Sequence, residues 1–120
     1  METISFDPLF VSEFEHDGKK HYSVQIYCGD VSEKISELFE IHDNYDNGYG
    51  WEGLVKYVID KECPDIFEYF DFDCEADTFL TYCSNKEKAF QLAALMQNII
   101  ADEQKLSQYL KELPEEYKDA

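Results

Sequence analysis

Positive charge is scarce in this chain: 10 Lys+Arg stand against 27 Asp+Glu, a formal net charge of −17 on 120 residues. A surface that acidic repels nucleic acid and anionic lipid, so neither is expected as a direct partner. No apolar run approaches the roughly 18 residues that a membrane span needs. The opening segment, Met1-Glu2-Thr3-Ile4-Ser5-Phe6-Asp7-Pro8, has neither the basic n-region nor the apolar h-region of a signal peptide, and a soluble, cytoplasmic protein is expected. Cysteine is sparse and scattered. Cys28, Cys63, Cys74 and Cys83 form no C-x-x-C pair, which argues against a zinc site. They read as reduced thiols packed as small hydrophobes, with a Cys74–Cys83 bridge across a hairpin left open for an oxidising compartment.

Core-building residues, by contrast, are plentiful. The chain is 44% hydrophobic and carries 9 Phe, 9 Tyr and 1 Trp. Disorder needs low hydrophobicity together with high net charge, and only the second condition is met. The expectation is one compact domain over residues 1–120, near the commonest domain size, wearing a strongly acidic surface. Such a surface attracts basic macromolecules and speeds their association.

Along the chain, 9–16 and 20–28 read as two strands joined at His16-Asp17-Gly18-Lys19, where Asp-Gly is a hairpin signal. Asp30-Val31-Ser32-Glu33 resembles a capping box with Asp30 as N-cap, opening a helix over about 31–41. A turn-rich loop, Asp43 to Gly50, precedes a helix whose apolar stripe is Trp51, Leu54, Val55, Val58 and Ile59, ending before Pro64. A second strand pair is expected at 67–73 and 78–83, turning through Cys74-Glu75-Ala76-Asp77. Ser84-Asn85-Lys86-Glu87 then opens the longest helix, about 85–101, and a last helix covers 102–112. The order ββααββαα predicts an α+β fold, two hairpins in an antiparallel sheet with helices on one face.

Chemistry is poorly represented. Gly48-x-Gly50-x-x-Gly53 matches the dinucleotide fingerprint in letters, but it follows a polar loop instead of a buried strand, and Tyr49, Trp51 and Glu52 would crowd or repel phosphates. Trp51 is better read as a core or interface anchor. Asp71-x-Asp73-x-Glu75-x-Asp77 begins like a calcium loop, then fails at Ala76 and Tyr82, where glycine and a bidentate glutamate are required. From Asp60 to Asp77, acids outnumber the single base Lys61, which makes this the densest negative region. His16, His21 and His42 lack metal spacing, and no nucleophile elbow or P-loop appears. No enzyme activity, cofactor or metal is expected.

The runs Asn47-Gly48-Tyr49-Gly50-Trp51-Glu52-Gly53-Leu54, Phe72-Asp73-Cys74-Glu75-Ala76-Asp77-Thr78-Phe79 and Ser84-Asn85-Lys86-Glu87 carry a resemblance. Over about residues 44 to 100 the chain is similar to the immunity protein 51 family of bacterial polymorphic-toxin systems, which shows a G-Y-x-W-E-type helix start and an F-D-x-E-A-x-x-F hairpin. It departs from that pattern at Cys74, where proline is expected, and at Asp77, where glycine is commoner. The resemblance implies a protein that binds the C-terminal domain of a cognate toxin inside the cell and blocks it by occlusion. If the toxin is a nuclease, its basic cleft suits an acidic inhibitor. The expected partner-binding residues are Asp43, Tyr45, Asp46, Tyr49, Trp51 and Glu52 in the first stretch and Asp71, Asp73, Glu75 and Asp77 in the second. The alternative is an acidic nucleic-acid mimic that inhibits DNA-binding proteins.

Overall fold

The computed structural model describes residues 3–118. Strands β1 (Thr3–Phe6), β2 (Leu9–His16), β3 (Lys19–Tyr27), β4 (Asp71–Phe72) and β5 (Thr78–Cys83) form one antiparallel sheet in the order β1-β2-β3-β5-β4. Among the described residues, four α-helices accompany it: α1 (Glu33–Ile41), α2 (Gly48–Glu62), α3 (Lys86–Ala101) and α4 (Glu103–Glu112). Single 3-10 segments at Cys28–Asp30, Pro64–Tyr69 and Glu115–Tyr117 complete the path. The α+β class and the antiparallel sheet with helices on one face are as the sequence predicts.

The first hairpin turns where Asp-Gly stands. Asp17 (φ 54°) and Gly18 (φ 76°) are both left-handed, the condition for a tight primed turn whose twist matches the strands. Register then follows the period-2 pattern. Val11 faces Val24, and Ile26 faces Phe79. One sheet face thereby gathers Leu9, Val11, Tyr22, Val24, Ile26, Phe79 and Cys83, all buried. Helix α3 lies across that face and buries Ala89, Leu92, Ala93 and Met96 against it, while α2 packs against β5 through its own stripe. Phe39, Trp51, Leu54 and Ile59 fill the layer beneath, without exposure. Each large side chain so enclosed contributes about 1.5–3 kcal/mol of burial.

Several boundaries differ from expectation, each for a local reason. The sheet has five strands where four are predicted, because Thr3–Phe6 adds an edge strand paired with β2. Residues 28–30 form a 3-10 turn, so α1 is capped by Ser32, whose hydroxyl accepts from the Ile35 N–H at 3.4 Å, and not by Asp30. Gly48 and Gly50 belong to α2 and not to a loop. Pro64 starts a 3-10 segment through Tyr69, which cuts the predicted 67–73 strand down to Asp71–Phe72. Asn85 caps α3 by accepting from the Lys88 N–H at 3.1 Å, and Asp102 caps α4.

Candidate partner-binding surface

Helix α1 ends in a turn that sorts the 40s residues into outward and inward sets. The Asn44 N–H donates to the Phe39 carbonyl at 2.9 Å and the Asp43 N–H to that of Glu40 at 3.0 Å, the paired bonds of a Schellman stop. Asp43 occupies the left-handed position (φ 56°) that glycine usually takes. Asp43 and Tyr45 consequently face solvent, Tyr45 at 60% exposure.

Asp46 turns the other way. Its Oδ1 accepts from the Trp51 indole N–H at 2.7 Å, and its Oδ2 accepts from the Ser36 hydroxyl. Trp51 has 0% exposure and lies against Phe39 with ring centroids 4.7 Å apart. A buried indole N–H requires an acceptor, and Asp46 supplies it. Of the two roles expected for Trp51, core or interface anchor, the ring takes the core position, and both carboxylate oxygens of the partly buried Asp46 are bonded within the protein.

The glycines of α2 explain how the two expected stretches meet. A Cβ on Gly48 would stand 1.7 Å from the Glu75 carbonyl oxygen, and the Gly48 N–H donates to the Ala76 carbonyl at 3.0 Å. Only a residue without a side chain lets the helix start lie on the 73–78 turn. Gly53 serves the same end on the other side, where a Cβ would stand 1.6 Å from the Tyr117 carbonyl oxygen. The G-x-G-x-x-G spacing is thus a packing device. Asn47 caps the helix, accepting from the Gly50 N–H at 2.7 Å, and leaves Tyr49 46% exposed. Glu52 is half-buried and held by Lys56 at 2.6 Å, whose ammonium lies 4.9 Å over the Phe72 ring.

On the hairpin side, Asp71 pairs with Tyr82 and Glu75 bridges to Thr78. Alternation sends Phe72 and Cys74 toward the core and leaves Asp71, Asp73, Glu75 and Asp77 exposed. The Cys74 thiol bonds both backbone groups of Leu80 at 3.4 Å, and burial pushes its pKa up to about 12. That of Cys28 is pushed up to about 11, first by burial and then by the carboxylates of Asp46 and Asp77. All four cysteines are free thiols. The Cys28 N–H donates to the Asp77 carbonyl at 3.0 Å, tying the hairpin to the end of β3, where Tyr27 is 48% exposed.

The Gly48 contact thus joins the segment that carries the exposed Asp43, Tyr45 and Tyr49 to the turn that carries the exposed Glu75 and Asp77, while the Tyr49 ring lines a shallow groove with Glu52, Lys56 and Tyr117. Asp71 and Asp73 continue along the β4 edge. Three exposed aromatics lie outside the residues expected from the sequence: Tyr27, Phe67 and Tyr69. In the sequence Tyr27 is only the end of an alternating strand, and Phe67 and Tyr69 read as strand material, although the two share one parity with the acids of that stretch. Exposed aromatics on an acidic surface suit recognition of a protein. Among the described residues, no group of three or more His, Cys, Asp or Glu is arranged to hold a metal ion.

The sequence profile of immunity protein 51 matches residues 11–114, from β2 to just beyond α4. The chain belongs to that family. No curated protein and no solved structure gives a significant match. Membership in an immunity-protein family implies a toxin as the cognate partner and inhibition as the role. Among the described residues, no helix of this immunity protein is long and apolar enough to cross a membrane.

Proposed function

We propose that this immunity protein acts in the cytoplasm, binding the C-terminal domain of the toxin encoded beside it and neutralising it by occlusion. The toxin in this reading is a nuclease with a basic cleft. Asp71, Asp73, Glu75 and Asp77 take the places of backbone phosphates, and the exposed Tyr45 and Tyr49 add aromatic contacts. The observation that supports the reading is the docking of Gly48 on the 73–78 turn, which joins the segment of the exposed Tyr45 and Tyr49 to the turn of the exposed Glu75 and Asp77. Charged rims act mainly on association rate, and buried anchors on dissociation.

The net charge of −17 also favours a second reading, a nucleic-acid mimic. The two differ in breadth: a mimic binds many basic proteins and loses them all in moderate salt. The deciding experiment co-expresses the C-terminal domain of the gene product encoded immediately upstream, with and without this protein. Restored growth and a one-to-one complex stable through a salt wash support immunity. Absence of both, with salt-sensitive capture of unrelated basic proteins, overturns it in favour of mimicry.

A further inference from the structure

The helices cover one face of the sheet, and the register defines what the other face carries. Phe10 pairs with Gln25, which pairs with Leu80; Phe14 pairs with His21; Ser23 pairs with Tyr82; Tyr27 pairs with Thr78. All of these point away from α3. Phe10, Phe14, Leu80 and Tyr82 are half-buried, yet none of them belongs to the core or packs against it. Their shelter comes from one another across the strands, as in the 5.6 Å ring contact of Phe10 with Tyr27 and the 5.5 Å stack of Phe14 on His21.

The charge distribution on this face is unlike that of the chain. With 27 acids in 120 residues, a solvated sheet face should carry several. Strands β1, β2, β3 and β5 place none on it: Glu13 and Glu15 pair with Tyr22 and Lys20 on the helix side. Carboxylates begin only at the β4 edge, with Asp71 and, by alternation, Asp73 and Glu75. Loss of charged residues from the centre, aromatic enrichment there and charge confined to the border is the composition of an interface centre with its rim.

We infer that the uncovered sheet face, centred on Phe10, Gln25, Leu80 and Tyr82, is the apolar centre of the toxin contact, and that the acids of the β4 edge are its rim. The inference rests on the immunity reading above and locates the partner's strongest hold away from the 40s loop. The partner it fits is a folded domain that sets an uncharged apolar patch on the sheet, with Lys or Arg along the side that meets Asp71, Asp73 and Glu75. A second copy of this chain fits less well. At about 3.3 Å per residue and 4.8 Å per strand, the face spans about 500 Å², so a dimer through it would bury about 1,000 Å² in total. Stable interfaces need about 1,200–2,000 Å², and each copy would bring its −17 to the other. A toxin covering both the face and the acidic edge reaches the required size.

The test places charge at the centre of the face in the full chain, with Leu80→Lys and Gln25→Lys made separately and Lys111→Glu on α4 as control. Both target positions are half-buried and not part of the core, and far-ultraviolet circular dichroism with thermal unfolding verifies each fold. The probe is the domain encoded immediately upstream, made catalytically inactive for binding kinetics. Expected is a rise in dissociation rate of about 30-fold or more for either centre variant, with the control unchanged. Unaltered dissociation in folded variants, while the wild type binds and protects, overturns the sheet face and leaves immunity standing. A wild type that neither binds nor protects overturns the function and the assigned occupant together. Concentration-dependent dimerisation of the free protein, abolished by Leu80→Lys, overturns the toxin as occupant in favour of a second copy.

Discussion

At the residue scale, Trp51 and Asp46 show how an acid is spent inside a protein that has acids in excess. The Trp51 ring is enclosed, and its N–H has one acceptor, the Asp46 carboxylate at 2.7 Å. Replacing Trp51 by Phe preserves most of the apolar contact with Phe39 but opens space and leaves Asp46 Oδ1 without its donor. A loss of about 2–3 kcal/mol is expected in urea unfolding. Because Trp51 has no exposed surface, toxin dissociation from the folded variant should match the wild type. A faster dissociation would return Trp51 to the interface. Asp43 illustrates the opposite trade. An L-residue in the left-handed region is strained, and a carboxylate at the C-terminal end of α1 opposes the helix dipole. Asp43→Gly should therefore raise stability by about 1 kcal/mol. If Asp43 meets the toxin, the same variant slows association; unchanged kinetics would leave Asp43 outside the contact.

At the element scale, the decisive joint is the start of α2 against the 73–78 turn. Gly48→Ala would push a methyl group to 1.7 Å from a backbone oxygen that cannot yield as a side-chain tip does. The turn or the helix must move. A cost of about 3 kcal/mol is expected by chemical denaturation, at the top of the usual range for overpacking. Gly29, where an added methyl group would meet nothing within 4 Å, is the control, and Gly29→Ala should change stability by less than about 0.5 kcal/mol. Equal effects at the two positions would refute the joint. This joint is also where the sequence signal ends. Glycine is a poor helix former, so Gly48-Tyr49-Gly50 reads as loop until a long-range neighbour explains it. The hairpin at Asp17-Gly18 and the stripe of α2 are legible because their causes are local. The edge strand β1 has a local signal too, the alternation of Thr3-Ile4-Ser5-Phe6, but four residues of it are too few to stand out. Phe67 and Tyr69 mislead because β-propensity describes how a ring fits a pleated surface, whereas Pro64 has already set a 3-10 path. Of the expected site, the meeting of two distant stretches follows from that joint, and the inward turn of Asp46 from the need of a buried indole; neither has a sequence signal of its own.

At the scale of the whole molecule, the charge acts in opposite directions on folding and on association. A compact body of net charge −17 repels itself, and the unfolded chain spreads the same charge over a larger volume. Salt screens that repulsion, with a Debye length falling from about 30 Å at 0.01 M to about 8 Å at 0.15 M. The melting temperature of the free protein should rise across this range by a few degrees, as about 1 kcal/mol does for a domain of this size. Association with a basic toxin runs the other way, since the same screening removes steering, and its rate should fall by about tenfold or more. Dissociation should change little if the uncharged sheet face provides the hold, because a neutral, desolvated contact is insensitive to salt. Stopped-flow association, surface-based dissociation and thermal unfolding in one salt series separate the three effects. A melting temperature that falls with salt would mean that ion pairs such as Lys34–Glu103 at 2.8 Å outweigh the general repulsion. A dissociation rate that climbs with salt as steeply as association falls would assign the hold to the carboxylates, and the aromatic face would then be surface and no more.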